Sequence, residues 1–327
     1  MNKRERLEKT IAGEPADRVP VALWRHFPGD DQRSADLARS VVNFQKAYDW
    51  DFCKITPASS YAISDYGAQD VWEGNAEGTR RYTRRPIQRS LDWTSLRPLD
   101  PSKGSLARAL ETTRMVTDEL GDDVPVLMTI FNPLSQAKNL ASDEVLIRHL
   151  RTEPERLRSG LNTLTENILR FFDALRKLPV AGIFYAIQHA TYAKLSEAEY
   201  AEFGLFYDRK ILEAVSSQWW FNLVHLHGDA PMFKLVADLP AQAVNWHDRE
   251  TEPDIAQGKS LLRGAACGCL SRWEDVHQGS PTTIRDAARA AMQKTNNRRF
   301  ILSTGCVVMI TTPWSSLRAV REAVETP

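Results

Sequence analysis

The chain has little cysteine, no excess of either charge and no long apolar run, and each shortage removes a class of protein. Its four cysteines, Cys53, Cys267, Cys269 and Cys306, are spread over 327 residues. That is too few for a disulfide scaffold, so they read as core thiols, ligands or nucleophiles in a reducing compartment. Lys plus Arg and Asp plus Glu number 42 each, which leaves no global field to attract nucleic acid or an anionic membrane. No apolar run reaches the roughly 18 residues of a membrane span. The opening "MNKRERLEKTIAGE" is a charged helix pattern without the apolar segment of a signal peptide, and the expected location is cytoplasmic. Internal repeats at periods of 20–50 residues are absent as well.

What remains is an ordinary globular composition, 43% hydrophobic and 26% charged. Apolar runs of strand length alternate with amphipathic helical stretches, the pattern of a parallel α/β protein. The runs are "VPVALW" (19–24), "DFCKIT" (51–56), "VPVLMTIF" (124–131), "AGIFYAIQ" (181–188), "WFNLVHLH" (220–227), "AQAVNWH" (241–247), "SLLRGAA" (260–266) and "FILSTGC" (300–306). Eight is the number that closes a (β/α)8 TIM barrel, expected here as a single domain over 1–327. Helix starts are marked by capping boxes at Ser196/Glu199 and Thr152/Glu155, and by Pro313 as the first residue of the last helix. One connection, 56–124, is too long for a barrel loop. Following the second strand, it is expected to cap the C-terminal face, where barrel active sites form. Its basic run "RRYTRRPIQR" (80–89) reads either as a solvated hairpin or as a cap touching an anionic substrate.

The chemistry gathers at strand ends. In "WWFNLVHLHGD" (219–229), His225 and His227 are two apart on a strand and therefore share a face. They suit either two ligands of one metal or two hydrogen-bonded pocket histidines. Cys306, at the end of the eighth strand, is level with them, and two imidazoles with one thiolate suit Zn²⁺ with an open fourth position. Asp229, Asp248 and Cys269 are candidates for that position. His247 and Asp248 end the sixth strand, Asp248 as an acceptor for an imidazole N–H or a general base. Gln188 closes the fourth strand. Together, His247, Asp248 and Gln188 form the expected catalytic set. Arg25, Lys54, Tyr192, Trp246 and Cys269 are expected substrate contacts, with Lys54 and Asp65 holding a polar substrate or each other. The aromatic set Trp24, Tyr185, Tyr192 and Trp246 suggests a flat or apolar substrate part.

The segments "RVPVALWRH", "GIFYAIQHATYAKLSEAEYAEF", "GSPTTIRDAARAAM" and "LSTGCVVMITTPWSSLRAV" resemble the uroporphyrinogen decarboxylase superfamily over nearly the whole chain. That resemblance implies a single TIM barrel and one of two branches, decarboxylases or zinc-dependent methyltransferases linked to corrinoids. Decarboxylases carry two arginines four apart; here Arg25 is followed by Gly29. Their aspartate in an "FSD" context is matched by "FCKIT", and their late histidine in "GHG" is replaced by Cys306 in "TGC". The methyltransferase motif, H-x-C-G followed by a cysteine in "GC…TP", fits better, as His225-Leu226-His227-Gly228 and Cys306 ahead of Thr312-Pro313. His227 stands where a cysteine is usual. An imidazole in place of a thiolate leaves the site one unit more positive and the metal a stronger Lewis acid.

The resemblance therefore implies a zinc site of His225, His227 and Cys306 activating a heteroatom of a small-molecule substrate, with a corrinoid protein or a folate as methyl carrier. "DVHQGS" (275–280) misses the cobalamin-binding D-x-H-x-x-G spacing by one place, so a corrinoid would arrive on a separate partner; a homodimer is also compatible with the resemblance. Two further readings stay open: a metal-dependent hydrolase or lyase without carrier, and a non-catalytic binding protein on an enzyme scaffold.

Overall fold

The computed structural model describes residues 1–325. The chain forms strands β1 (Cys53–Ile55), β2 (Gln69–Val71), β3 (Arg81–Arg84), β4 (Val126–Phe131) and β5 (Gly182–Ile187), followed by β6 (Leu223–Leu226), β7 (Ala243–Trp246), β8 (Ala265–Leu270) and β9 (Phe300–Thr304). Seven of them make one curled parallel sheet in the order β1-β4-β5-β6-β7-β8-β9, and β2 and β3 make a separate antiparallel hairpin. Helices between consecutive strands cover the outside, as parallel connections require.

The expected first strand, 19–24, is reduced to a single bridge, Val21 to Leu302. Pro20 has no N–H to give a ladder, and the Val21 N–H donates to the Asp51 carboxylate at 2.7 Å. The segment still joins the ring on both sides. Ala22 N–H donates to Leu302 at 3.2 Å, Leu302 N–H to Pro20 at 2.9 Å and Asp51 N–H to Val21 at 2.9 Å. The TIM-barrel reading therefore holds, with the eighth position filled by a bridged segment.

The expected seventh strand, 260–266, is displaced. Asp254 caps a helix over Ile255–Leu261 by accepting from the Ala256 and Gln257 N–H groups, and the strand begins only at Ala265. The Thr152 capping box does not form: a helix ends at Thr152, and the next, Pro154–Leu175, starts from Glu153. Pro313 sits at the N-cap, one place earlier than expected, and the Ser196/Glu199 box forms in full.

The long connection divides. Its helix Gly104–Leu120 packs outside the ring against Ser34–Tyr48. The hairpin and its flank contribute Glu77, Arg80, Tyr82 and Arg85 to the cavity that His225, His227 and Cys306 also line, and Ile310 N–H donates to Ala76 at 2.8 Å. Gly78, at φ +79, lets this loop press on His26; a Cβ there would come within 2.5 Å of the His26 side chain. An aromatic floor lies beneath the mouth, with Trp24 5.2 Å from Phe184 and Phe52 5.2 Å from Phe221. No helix among the described residues is long and apolar enough to cross a membrane.

Candidate metal centre

Strand alternation sets the site. On β6 His225 pairs with Asn245 of β7, and Leu226 with Trp246. The positions one beyond, His227 and His247, then share the inner face with His225 and Asn245. Cys306 follows β9 and is buried. One donor atom from each of His225, His227, His247 and Cys306 lies within 4.8 Å of all the others. The Cys306 Sγ is 3.7 Å from His225 Nε2 and 3.8 Å from His227 Nδ1, and His247 Nε2 is 3.2 Å from His227 Nδ1.

The rings are held from behind. Asn245 donates both amide hydrogens, to the Cys267 and Thr304 carbonyls at 2.9 Å each. Its oxygen is thereby turned to His225 Nδ1 at 2.6 Å, so Nδ1 carries the proton and Nε2 keeps its lone pair toward Cys306. Glu250 accepts from His247 Nδ1 at 3.0 Å and is itself held by Arg272 at 3.1 Å. Phe184 stacks on His225 with ring centroids 5.4 Å apart. Burial alone would push the Cys306 thiol up, but His225, His227 and His247 together hold it well below the usual cysteine value. Burial would lower His247, yet the thiolate and Glu250 raise it to about 10. Burial lowers His225. A thiolate held among imidazoles, with two rings fixed by neighbours behind them, is a donor set suited to Zn²⁺.

In front of this cluster lies a cavity of about 370 Å³. Lys54 and Gln188 line it, and Gln188 Oε1 is buried without a partner among the described residues. Lys54 donates to Thr56 at 3.0 Å, and burial lowers its ammonium to about 7.

Other expected contacts lie elsewhere. Arg25 donates to Ile310 O at 3.0 Å, in the crevice beside Phe27 and Trp50. Tyr192 is 55% exposed and bonds Glu197. Trp246, adjacent to His247, alternates to the outer face, where it packs on Phe233 and donates to Pro253 O at 2.7 Å. Asp248 and Cys269 meet in a second recess with Ile255 and Lys294, where Asp248 accepts from the Cys269 N–H at 3.1 Å. Cys269 was expected beyond its strand and lies within β8, at φ +84. Tyr185 also faces out, bonding Asp208 at 2.8 Å, and Asp65 takes the Ser105 N–H at 2.8 Å instead of Lys54. Asp229 is exposed and outside the cluster.

His26 and Lys138 line the cavity without having been singled out in the sequence, and Arg80, Tyr82 and Arg85 reach it from the basic run. Burial lowers His26 to about 4 and Lys138 to about 8. The run 80–89 was itself the signal; what it lacked was a direction for each side chain.

The family described as uroporphyrinogen decarboxylase (URO-D) matches residues 66–327. The chain belongs to this family. Among its relatives, the methylcobamide:CoM methyltransferase MtbA of Methanosarcina acetivorans is 19% identical, over 98% of this chain and 97% of the relative. A methylated-thiol–coenzyme M methyltransferase of Methanosarcina mazei is 23% identical over 62% of this chain and 54% of its own length. A solved methyltransferase from Methanosarcina mazei superposes with a TM-score of 0.87 at 18% identity, covering 99% of this chain and 98% of the other. A B12-independent methionine synthase from Shewanella shares the fold at a TM-score of 0.59 and 13% identity, each chain being 97% covered. These relatives place the chain on the methyltransferase side of its family.

Proposed function

We propose that this chain is a zinc-dependent methyltransferase acting on a heteroatom of a small molecule, with a corrinoid carried on a separate protein as the methyl carrier. The observation that carries the reading is the convergence of His225, His227, His247 and Cys306 donor atoms within 4.8 Å at the end of a cavity. The methylcobamide relatives support the carrier. His225, His227 and Cys306 would hold the ion. When bound there, zinc supplies Lewis acidity that lowers the pKa of a substrate heteroatom. His247, tethered at Nδ1 by Glu250, holds or passes a proton at Nε2. Gln188 presents its free Oε1 to orient the substrate. Lys54 lines the cavity beside the cluster, where the Cys306 thiolate favours its ammonium against burial.

The test is metal content by plasma mass spectrometry on the purified protein and on His227→Ala and Cys306→Ser. About one zinc per chain is expected, lost from both variants while circular dichroism shows the fold intact. No zinc in the unmodified protein, even after supply, sinks the mechanism. Turnover is then expected only with an added corrinoid carrier; turnover without one would assign a hydrolase or lyase.

A further inference from the structure

The cavity in front of the histidine–cysteine cluster carries more positive charge than its own carboxylates balance. Arg80 is paired with Asp31 and Asp70, Arg81 with Glu73, and Glu77 with Arg272. Lys54, Arg85 and Lys138 also line it, and among the described residues none of the three makes an ion pair. Lys54 is 8% exposed and has only the Thr56 hydroxyl and the face of Phe184, 4.4 Å from the ring centre. Arg85 donates to the carbonyls of Lys138 and Asn139 at 2.8 and 2.7 Å and lies over the Tyr82 ring. The carboxylate that acts on Lys138, Asp143, is already engaged by His189 at 2.8 Å and Lys194 at 2.9 Å.

Cations partly withdrawn from water with no opposite charge of their own are costly, unless a ligand brings that charge. The Cys306 thiolate does not serve the remote pair. It belongs to the cluster, whereas Arg85 comes from the cap and Lys138 from the helix Pro133–Ala141 after β4, three strands round the ring from β7. The lining also includes the aromatic rings of Trp24, Tyr82, Phe131 and Phe184, with His225 stacked on Phe184. A volume of about 370 Å³ lies at the small end of ligand pockets. It fits one ring with its substituents rather than a tetrapyrrole.

From this arrangement we infer that the substrate is a monoanionic aromatic acid: Lys138 and Arg85 take its carboxylate, the aromatic walls hold its ring, and its heteroatom faces His225, His227 and Cys306. The orientation rests on the proposed metal site; the anion and ring subsites rest on the cavity alone.

Calorimetric titration of the full chain separates the two. The probes are 4-methoxybenzoate, its neutral counterpart methoxybenzene, and 2-mercaptoethanesulfonate as a small anion without a ring. The acid is expected to bind at least about tenfold tighter than methoxybenzene. Lys138→Met and Arg85→Met are each expected to weaken it about tenfold or more, with zinc content unchanged and Lys138→Arg restoring much of the loss. Equal binding of acid and neutral ether, or full affinity in both methionine variants, overturns the anion subsite. Tight binding of the sulfonate without the benzoate overturns the aromatic body. The same titration on chelator-treated protein reads the subsite when zinc is absent, so failure of the metal reading leaves this result interpretable.

Discussion

The two ends of the barrel treat charge in opposite ways. At the N-terminal end, Asp51 is fully buried and every contact it makes is closed. Arg6 donates to it at 2.7 Å, Arg18 at 2.7 and 3.1 Å and the Val21 N–H at 2.7 Å, while Arg6 also grips Asp17 through two bonds of 2.8 Å. This knot ties the first helix, the bridged segment and β1 together. At the C-terminal end, three imidazoles and the Cys306 thiolate meet within one cluster, and Lys54, Arg85 and Lys138 line the cavity beside it with no carboxylate paired to any of them among the described residues. The same sheet supports both, so the difference separates charges that are closed within the fold from charges that the fold leaves without a carboxylate.

The comparison breaks first at the closed end. Asp51→Ala removes the buried carboxylate shared by Arg6, Arg18 and the Val21 N–H, leaving that N–H without an acceptor and the two guanidinium groups with only Asp17 and Glu325 at the rim, and the expected loss is about 3–5 kcal/mol, read by urea unfolding. A loss near zero would mean that water replaces the carboxylate and that the knot is not structural.

Asn245→Ala acts at the open end through His225, whose Nδ1 it fixes. Leaving the Cys267 and Thr304 carbonyls unpaired should cost about 1–3 kcal/mol of stability, and zinc affinity should fall roughly 10- to 100-fold, measured by chelator competition. An unchanged affinity would remove Asn245 as a positioning residue.

Lys54→Met sharpens the contrast by changing sign. Removing a buried ammonium that makes no ion pair and whose charged form burial disfavours should raise the stability of the ligand-free protein, by about 1 kcal/mol, while weakening substrate binding. A destabilised variant would show that Thr56 and Phe184 suffice as its partners.

The smallest effect concerns pH. The Arg6 hydrogen bonds hold the Asp17 carboxyl at about 2, against an ordinary 3.8. Its folded value is depressed, so its contribution is full above about pH 4 and is lost as pH falls through about 2. The side chain is 38% exposed, and solvent screening limits the effect to below about 1 kcal/mol. Asp17→Asn should flatten the stability curve in that window, and an unchanged slope between pH 4 and 2 would assign the acid sensitivity elsewhere.

Much of the site was written in strand periodicity, including a part that went unread. "VHLH" puts His225 and His227 on one face, and "NWH" does the same for Asn245 and His247. The same alternation excludes Trp246 and Asp248, each one place off. Reading the whole strand end as lining, rather than every second residue, is what assigned Trp246 to substrate. Cys269 was misplaced for another reason. "SLLRGAA" is apolar enough for a strand, but the Asp254 cap upstream commits Ile255–Leu261 to helix and shifts the strand to Ala265–Leu270. Lys138 carried no signal at all, since a lysine in a helix is ordinarily solvated.

By itself, the sequence determined the alternation of strands and helices, the ring they close, and the shared face of His225 and His227, because these follow from local periodicity and from the fixed side-chain directions of a strand. The tertiary structure alone decided that His247 joins Cys306 and that Asn245 turns His225. It alone left Lys54, Arg85 and Lys138 lining one cavity with its carboxylates, Asp31 and Glu77, paired to other residues. Those facts depend on which strand ends are neighbours and on where each carboxylate finds its partner, distances that no spacing along the chain encodes.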